Sequence, residues 1–182
     1  SALEVANAVL PRNTVATCDA GASRLLVVQK WDSYGAKDFL TSNGLATMGY
    51  AIPGALAARI AHPDRPVIAF TGDGGFFMAV AELQTATREN LPIIVLVFDD
   101  AEIALIRVKQ EVKGVEPYGI GLGGVDWVKI AEGFGADGAV VDTEHALGDA
   151  LKAALKSSRT TVIAARIDSS CYVEQFNALR EV

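Results

Sequence analysis

Short apolar, β-branched runs punctuate the chain at Thr14 to Thr17, Val67 to Phe70, Ile93 to Phe98, Ala139 to Val141 and Val162 to Ile167. The third reads Ile-Ile-Val-Leu-Val-Phe with no polar alternation. A strand of that content is buried on both faces, which means a parallel sheet covered by helices. Between the runs lie longer stretches of helical pattern: Gly49 to Ala61, Phe76 to Glu89, Ala101 to Val112, Val125 to Phe134 and His145 to Lys156. The last sets Ala146, Leu147, Ala150, Leu151, Ala154 and Leu155 on one face, with Glu144, Asp149 and Lys152 off it. The alternation predicts an α/β fold, a doubly wound, mainly parallel sheet flanked by helices with right-handed crossovers. One Gly-rich stretch, Tyr118 to Gly124, reads equally as an ordered lid or a disordered connection.

Composition narrows the partners. The 182 residues suit one domain with a real core. Lys and Arg total 16 against 22 Asp and Glu, a net charge of −6. That balance argues against nucleic acid as a partner, which calls for a basic face. No apolar stretch reaches the roughly 18 residues of a membrane span, so no membrane partner is expected. No basic segment followed by an apolar run opens the chain, which makes the cytoplasm the expected location. The start at Ser1-Ala2 suggests an excised fragment. Cys18 and Cys171 make neither a disulfide framework nor a zinc site and read as small buried hydrophobes. His62 reads as a cation suited to the dipole at an expected helix end, His145, opening a helix, as a surface residue, and Glu82 as structural.

The chemistry is expected where the strands end, because open parallel sheets bind ligands at their carboxyl edge. After Val67 to Phe70 comes Thr71-Gly72-Asp73-Gly74-Gly75, with a helix expected from near Phe76. Glycines before a helix let backbone amides approach an anion. Asp73 would repel a phosphate unless a cation bridges them, and Mg²⁺ is commonly held by one or two carboxylates plus phosphate oxygens. Ile93 to Phe98 ends in Asp99-Asp100. These acids either cap a helix starting at Ala101 or supply the second carboxylate; paired with Asp73, they favour the cation.

Gly72-Asp73-Gly74, followed 27 residues after Asp73 by Asp100, resembles the metal and diphosphate motif of thiamine diphosphate enzymes. Glu82-Leu83-Gln84-Thr85-Ala86 and Asn90-Leu91-Pro92 are similar to the acetolactate synthase and benzoylformate decarboxylase branch. The resemblance implies a domain spanning residues 1–182 that binds thiamine diphosphate through Mg²⁺, with Asp73, Asp100 and the main-chain carbonyl of Glu102 as metal ligands. Thr41 to Gly49 resembles the branch's segment over the cofactor. By that match the Ala46 carbonyl accepts from the cofactor's 4′-amino group, Thr47 lies alongside, and Met48 holds the bent cofactor from beneath. Asp19 to Ser23 matches the other diphosphate loop, with Gly21, Ala22 and Ser23 as binders; Ser23 also reads as the N-cap of the next helix. Gly72, Gly74, Gly75, Ile103 and Ala104 complete the implied cofactor site, and Ile103, Leu105 and Ile106 the substrate side.

Departures from the family pattern are informative. Asp100 replaces the usual Asn and adds a charge at the metal. Ile106 stands where pyruvate decarboxylases carry a catalytic Glu, which argues against that type. Lys109 stands where acetolactate synthases often carry Trp. The family's activating Glu belongs to a pyrimidine-binding domain, for which 182 residues leave no room. The expected protein is therefore the diphosphate-binding part of a 2-oxo acid carboligase or decarboxylase, a lyase or transferase inactive alone. Its expected partners are a pyrimidine-binding domain or subunit, a small 2-oxo acid and further copies in a homo-oligomer. The alternative is a non-enzymatic nucleotide- or anion-binding domain, or an assembly subunit, of the same fold.

Overall fold

The computed structural model describes residues 1–170 and 172–178; the reading of Cys171 falls outside them. In chain order the elements are α1 (Ala2–Val9), β1 (Val15–Cys18), α2 (Ala22–Lys30), β2 (Phe39–Thr41), α3 (Ala51–Ala61), β3 (Val67–Gly72), α4 (Asp73–Ala79), α5 (Glu82–Arg88), β4 (Ile94–Asp99), α6 (Ala104–Val112), α7 (Trp127–Gly133), β5 (Asp137–Val141), α8 (Glu144–Ala154), β6 (Thr161–Arg166) and α9 (Tyr172–Ala178). The strands form one sheet in the order β2-β1-β3-β4-β6-β5, every pair parallel.

Each central strand feeds two cores, because alternate side chains leave opposite faces. Val67, Ala69, Val95, Val97, Val162 and Ala164 pack under α3, α4, α5 and α7. Ile68, Phe70, Ile94, Leu96, Phe98 and Ile163 pack under α1, α2 and α8. That is why Ile93 to Phe98 shows no alternation: both sides are covered.

Winding reverses at β1. The chain steps from β1 outward to β2, then returns to lay β3 on the other side. The segments leaving β1 and β3 therefore diverge and open a crevice at the carboxyl edge, the place where this sheet type takes ligands.

Local departures from the expected elements have physical reasons. The stretch read as one helix from Phe76 to Glu89 is two, separated at Val80 and Ala81, where Leu83 N and Gln84 N bond only three residues back. The tightened turn keeps Phe76, Ala79, Leu83 and Ala86 all buried. The first of these helices starts at Asp73, not near Phe76, so the Gly-rich turn is itself its first turn. Low glycine propensity hides that start in the sequence. Ser23 is not an N-cap: Gly21, at φ 146°, fills that position and Ser23 lies inside the first turn of α2. Strand β2 has three residues at the sheet edge, and α1, α2 and α9 span two turns or so, too short for periodicity to announce. Cys18 is buried and its thiol is pushed up to about 12 by burial, so it is the small hydrophobe expected. His62 caps the end of α3, and His145 is 91% exposed beside Asp149. No helix among the described residues is long and apolar enough to cross a membrane.

Candidate functional site

The crevice between the β1 and β3 exits opens into a cavity of about 180 Å³. The β1–α2 junction contributes Gly21, Ala22 and Ser23, and the loop before α3 contributes Ala46 and Met48. Gly72, Asp73, Gly74 and Gly75 come from the β3–α4 junction, and Asp100, Glu102, Ile103 and Ala104 from the turn before α6. Of the residues that the resemblance places in the cofactor site, only Thr47 does not line the cavity. It is exposed, its hydroxyl turns onto the Met48 carbonyl at 2.8 Å, and its own carbonyl accepts from Ala20 N at 3.2 Å.

The loops leaving β1 and β3 are held at fixed spacing by a residue the sequence did not single out for that role. Asp19 is buried at the end of β1; one carboxylate oxygen accepts from Ala51 N at 2.6 Å, the other from the Thr71 hydroxyl at 2.6 Å. It thereby joins β1, the start of α3 and the end of β3. Gly75 must be glycine here, since a Cβ would fall 2.3 Å from Asp19 Oδ2. Gly72 faces open space, and Gly74 lies under Met48, whose Cε would be 3.1 Å from a Cβ. Ala46 has φ 53°, the left-handed region that costs a side-chain-bearing residue about 1–3 kcal/mol and collects at functional sites.

The acids divide their work. Helix α6 starts at Ala104 with Ile103 as its N-cap, so neither Asp99 nor Asp100 caps it. Asp99 accepts from the buried Trp127 indole at 2.9 Å, and its carbonyl accepts from Ile167 N. Asp100 turns into the cavity, with Oδ1 accepting weakly from Glu102 N at 3.3 Å. Asp73 is 3% exposed; Oδ1 accepts from Gly74 N at 2.7 Å, while Oδ2 is buried with no hydrogen-bond partner among the described residues. Burial, above all, pushes the Asp73 carboxyl above its usual range, with the Asp99 charge adding to it. Burial and the neighbouring Asp73 push Asp100 up to about 7. Two desolvated acids, one with an orphaned oxygen, make a pair that a cation would satisfy.

The donor set is small. Among the described residues no group of three or more His, Cys, Asp or Glu is arranged to hold a metal. Two carboxylates with a nearby carbonyl suit Mg²⁺, which takes its remaining oxygens from phosphate and water.

The turn that carries Asp100 is braced from outside. Ala101 is left-handed at φ 60°. Its carbonyl accepts from Leu122 N at 2.9 Å, and Ile103 N donates to Ile120 at 2.8 Å. The Gly-rich stretch is thus an ordered strap, pairing Gly121 with Glu102. Tyr172 of α9 and Phe98 of β4 also line the cavity, and neither carried a signal in the sequence. Burial, with the nearby acids, pushes the Tyr172 hydroxyl beyond its usual range. Ile106 stands at the rim, 43% exposed.

Residues 19–165 match the sequence profile described as thiamine pyrophosphate enzyme, C-terminal TPP binding domain. The chain is 34% identical over 167 residues to acetolactate synthase of Bacillus subtilis (strain 168), an alignment covering 92% of this chain and 29% of that protein. It is 32% identical over 161 residues to the probable acetolactate synthase large subunit of Methanococcus aeolicus, covering 87% of this chain and 27% of that one. The chain therefore spans less than a third of either curated relative. Its fold is similar to that of the Rhodococcus jostii RHA1 thiamine diphosphate-dependent 4-hydroxybenzoylformate decarboxylase, with a TM-score of 0.84 at 24% identity over 91% of this chain and 32% of that chain.

Proposed function

The chain belongs to the thiamine pyrophosphate enzyme family as its C-terminal TPP-binding domain, of the acetolactate synthase-like kind, and from that premise we propose that it grips the cofactor's diphosphate through Mg²⁺. The observation that carries the reading is the buried Asp73 Oδ2, without a hydrogen bond among the described residues, beside a raised Asp100. Asp73, Asp100 and the Glu102 carbonyl are the proposed Mg²⁺ ligands. Gly21, Ala22 and Ser23 hold the diphosphate from one side and Gly72, Gly74 and Gly75 from the other, their glycines admitting close backbone approach.

When bound, thiamine diphosphate supplies an electron sink for breaking or forming a bond next to a carbonyl. This chain's residues bind and orient it. Ala46 offers its carbonyl to the 4′-amino group, held by the left-handed backbone there. Thr47 keeps that loop tied to the β1 exit through Ala20. Met48, resting over Gly74, supports the cofactor from beneath. Ile103 and Ala104 complete the cofactor site, and Ile103, Leu105 and Ile106 give the substrate side an apolar wall.

The cavity is smaller than the roughly 300 Å³ at which a pocket encloses a ligand by itself. We therefore read it as one half of a site, completed by a pyrimidine-binding domain or subunit that brings the activating Glu, in a homo-oligomer acting on a small 2-oxo acid. The complete protein would then be a lyase or transferase at work in the cytoplasm. The test is turnover. The 182-residue chain with thiamine diphosphate, Mg²⁺ and pyruvate is expected to consume no pyruvate alone. Steady-state consumption by the chain alone would defeat the half-site reading.

A further inference from the structure

We infer that Arg107 is a positioning residue for the cation-binding turn, clamping Glu102 to the segment that leads into α9. The inference rests on the proposed role of that turn in holding Mg²⁺.

The Arg107 guanidinium uses all three of its nitrogens. Nε donates to Glu102 Oε1 at 2.7 Å, Nη1 to Glu111 at 3.0 and 3.1 Å, and Nη2 to the Ser169 carbonyl at 3.1 Å and hydroxyl at 3.3 Å. Ser169 closes the ring, its hydroxyl donating to the same Glu102 oxygen at 2.9 Å. The Arg107 and Glu102 side chains are only 16% and 14% exposed. An exposed pair one turn apart on a helix is worth about 0–1 kcal/mol and would explain the Glu111 contact alone. It does not explain a fork reaching 62 residues along the chain to Ser169.

The turn needs such a brace. Ala101 is left-handed, and strained backbone persists only where its surroundings over-determine it. Strap residues 120–122 fix the main chain of Ala101 and Ile103 from one side. Between those two residues, Arg107 and Ser169 fix Glu102 by its side chain. Ser169 also receives Tyr172 N at 3.1 Å, so the clamp sets the start of α9 and with it a wall residue of the cavity. Partners that orient ligands from outside typically contribute 10–100-fold to metal affinity.

The test titrates Mg²⁺ into the 182-residue chain at fixed thiamine diphosphate, following cofactor binding by calorimetry, with the melting temperature of the cofactor-free chain as a control for folding. Arg107→Met is expected to raise the Mg²⁺ midpoint roughly 10–100-fold, with cofactor binding recovered at saturating Mg²⁺. Arg107→Lys should fall between it and the wild type, because lysine keeps a charge for Glu102 and lacks the fork for Ser169. Glu111→Gln, which removes only the helical pair, should leave the midpoint in place. An unchanged midpoint in Arg107→Met, or an equal rise in Glu111→Gln, would overturn the clamp. If Arg107→Met does not fold, Ser169→Ala decides: a severalfold rise supports the clamp and no rise overturns it. Absence of Mg²⁺-dependent binding in the wild type would overturn the proposed function itself.

Discussion

Replacing Asp73 by Asn is expected to lower affinity for thiamine diphosphate in Mg²⁺ by at least about 100-fold, the upper end of what partners outside the ligand sphere cost. The same change is expected to raise the melting temperature of the cofactor-free chain. Both effects follow from one observation. Asp73 Oδ1 already accepts from Gly74 N, a bond an amide oxygen retains. Oδ2 is buried without a hydrogen bond among the described residues, and its charge faces a second acid. Removing the charge takes away the cation's anchor, and it also takes away repulsion that the empty fold has to bear. About 1 kcal/mol of relief corresponds to roughly 2–4 °C in a domain of this size. Calorimetric titration and a thermal melt on the same sample check the pair. A variant that loses both affinity and stability would make Asp73 a structural residue.

The second large effect concerns pH. Asp100 sits at about 7 in the folded chain against an ordinary 3.8. The folded state therefore binds more protons than the unfolded state between about pH 4 and pH 7, and stability from this group is present at the acid end and lost as pH rises through 7. Asp73, displaced in the same direction, adds to the trend. For a group with partial solvent access the loss is roughly 2 kcal/mol, or about 4–8 °C of melting temperature. Melts in chelator from pH 5 to pH 8 should show the wild type falling relative to Asp100→Asn. Excess Mg²⁺ with cofactor should reverse the slope, because a cation favours both carboxylates ionised. Parallel curves for the two proteins in chelator would mean that Asp100 is not coupled to the fold in this way.

What the sequence could and could not say about this site has a physical pattern. Asp73 and Asp100 were legible because acids at the ends of apolar strands have few structural reasons to be there. Choosing between Asp99 and Asp100 was not possible locally: the answer is Trp127, which takes Asp99 from 28 residues away. Asp19 was visible as part of a loop. Its work as a staple depends on Thr71, 52 residues on, and on the start of α3. Arg107 and Tyr172 matter only because Ser169 returns beside Glu102, a juxtaposition made by the placement of β6 next to β4. The parallel sheet was readable from one unbroken apolar run. The short edge strand and the start of α4 in a glycine turn were not, since propensity there runs against the structure that tertiary contacts impose.

The half-site reading also gives meaning to apolar residues left in solvent. Leu45 is 93% exposed in the loop that carries Ala46, and Ile106 stands at the cavity rim. In the proposed assembly these would meet the pyrimidine-binding partner.

In the proposed function this domain binds thiamine diphosphate through a metal bridge. Calorimetric titration of the 182-residue chain with thiamine diphosphate, once in Mg²⁺ and once in chelator, tests it most directly, with ATP as the competing phosphate ligand. A metal bridge predicts saturable binding of thiamine diphosphate in Mg²⁺ and none in chelator, with ATP failing to match it. Equal binding of ATP with no dependence on metal would contradict it.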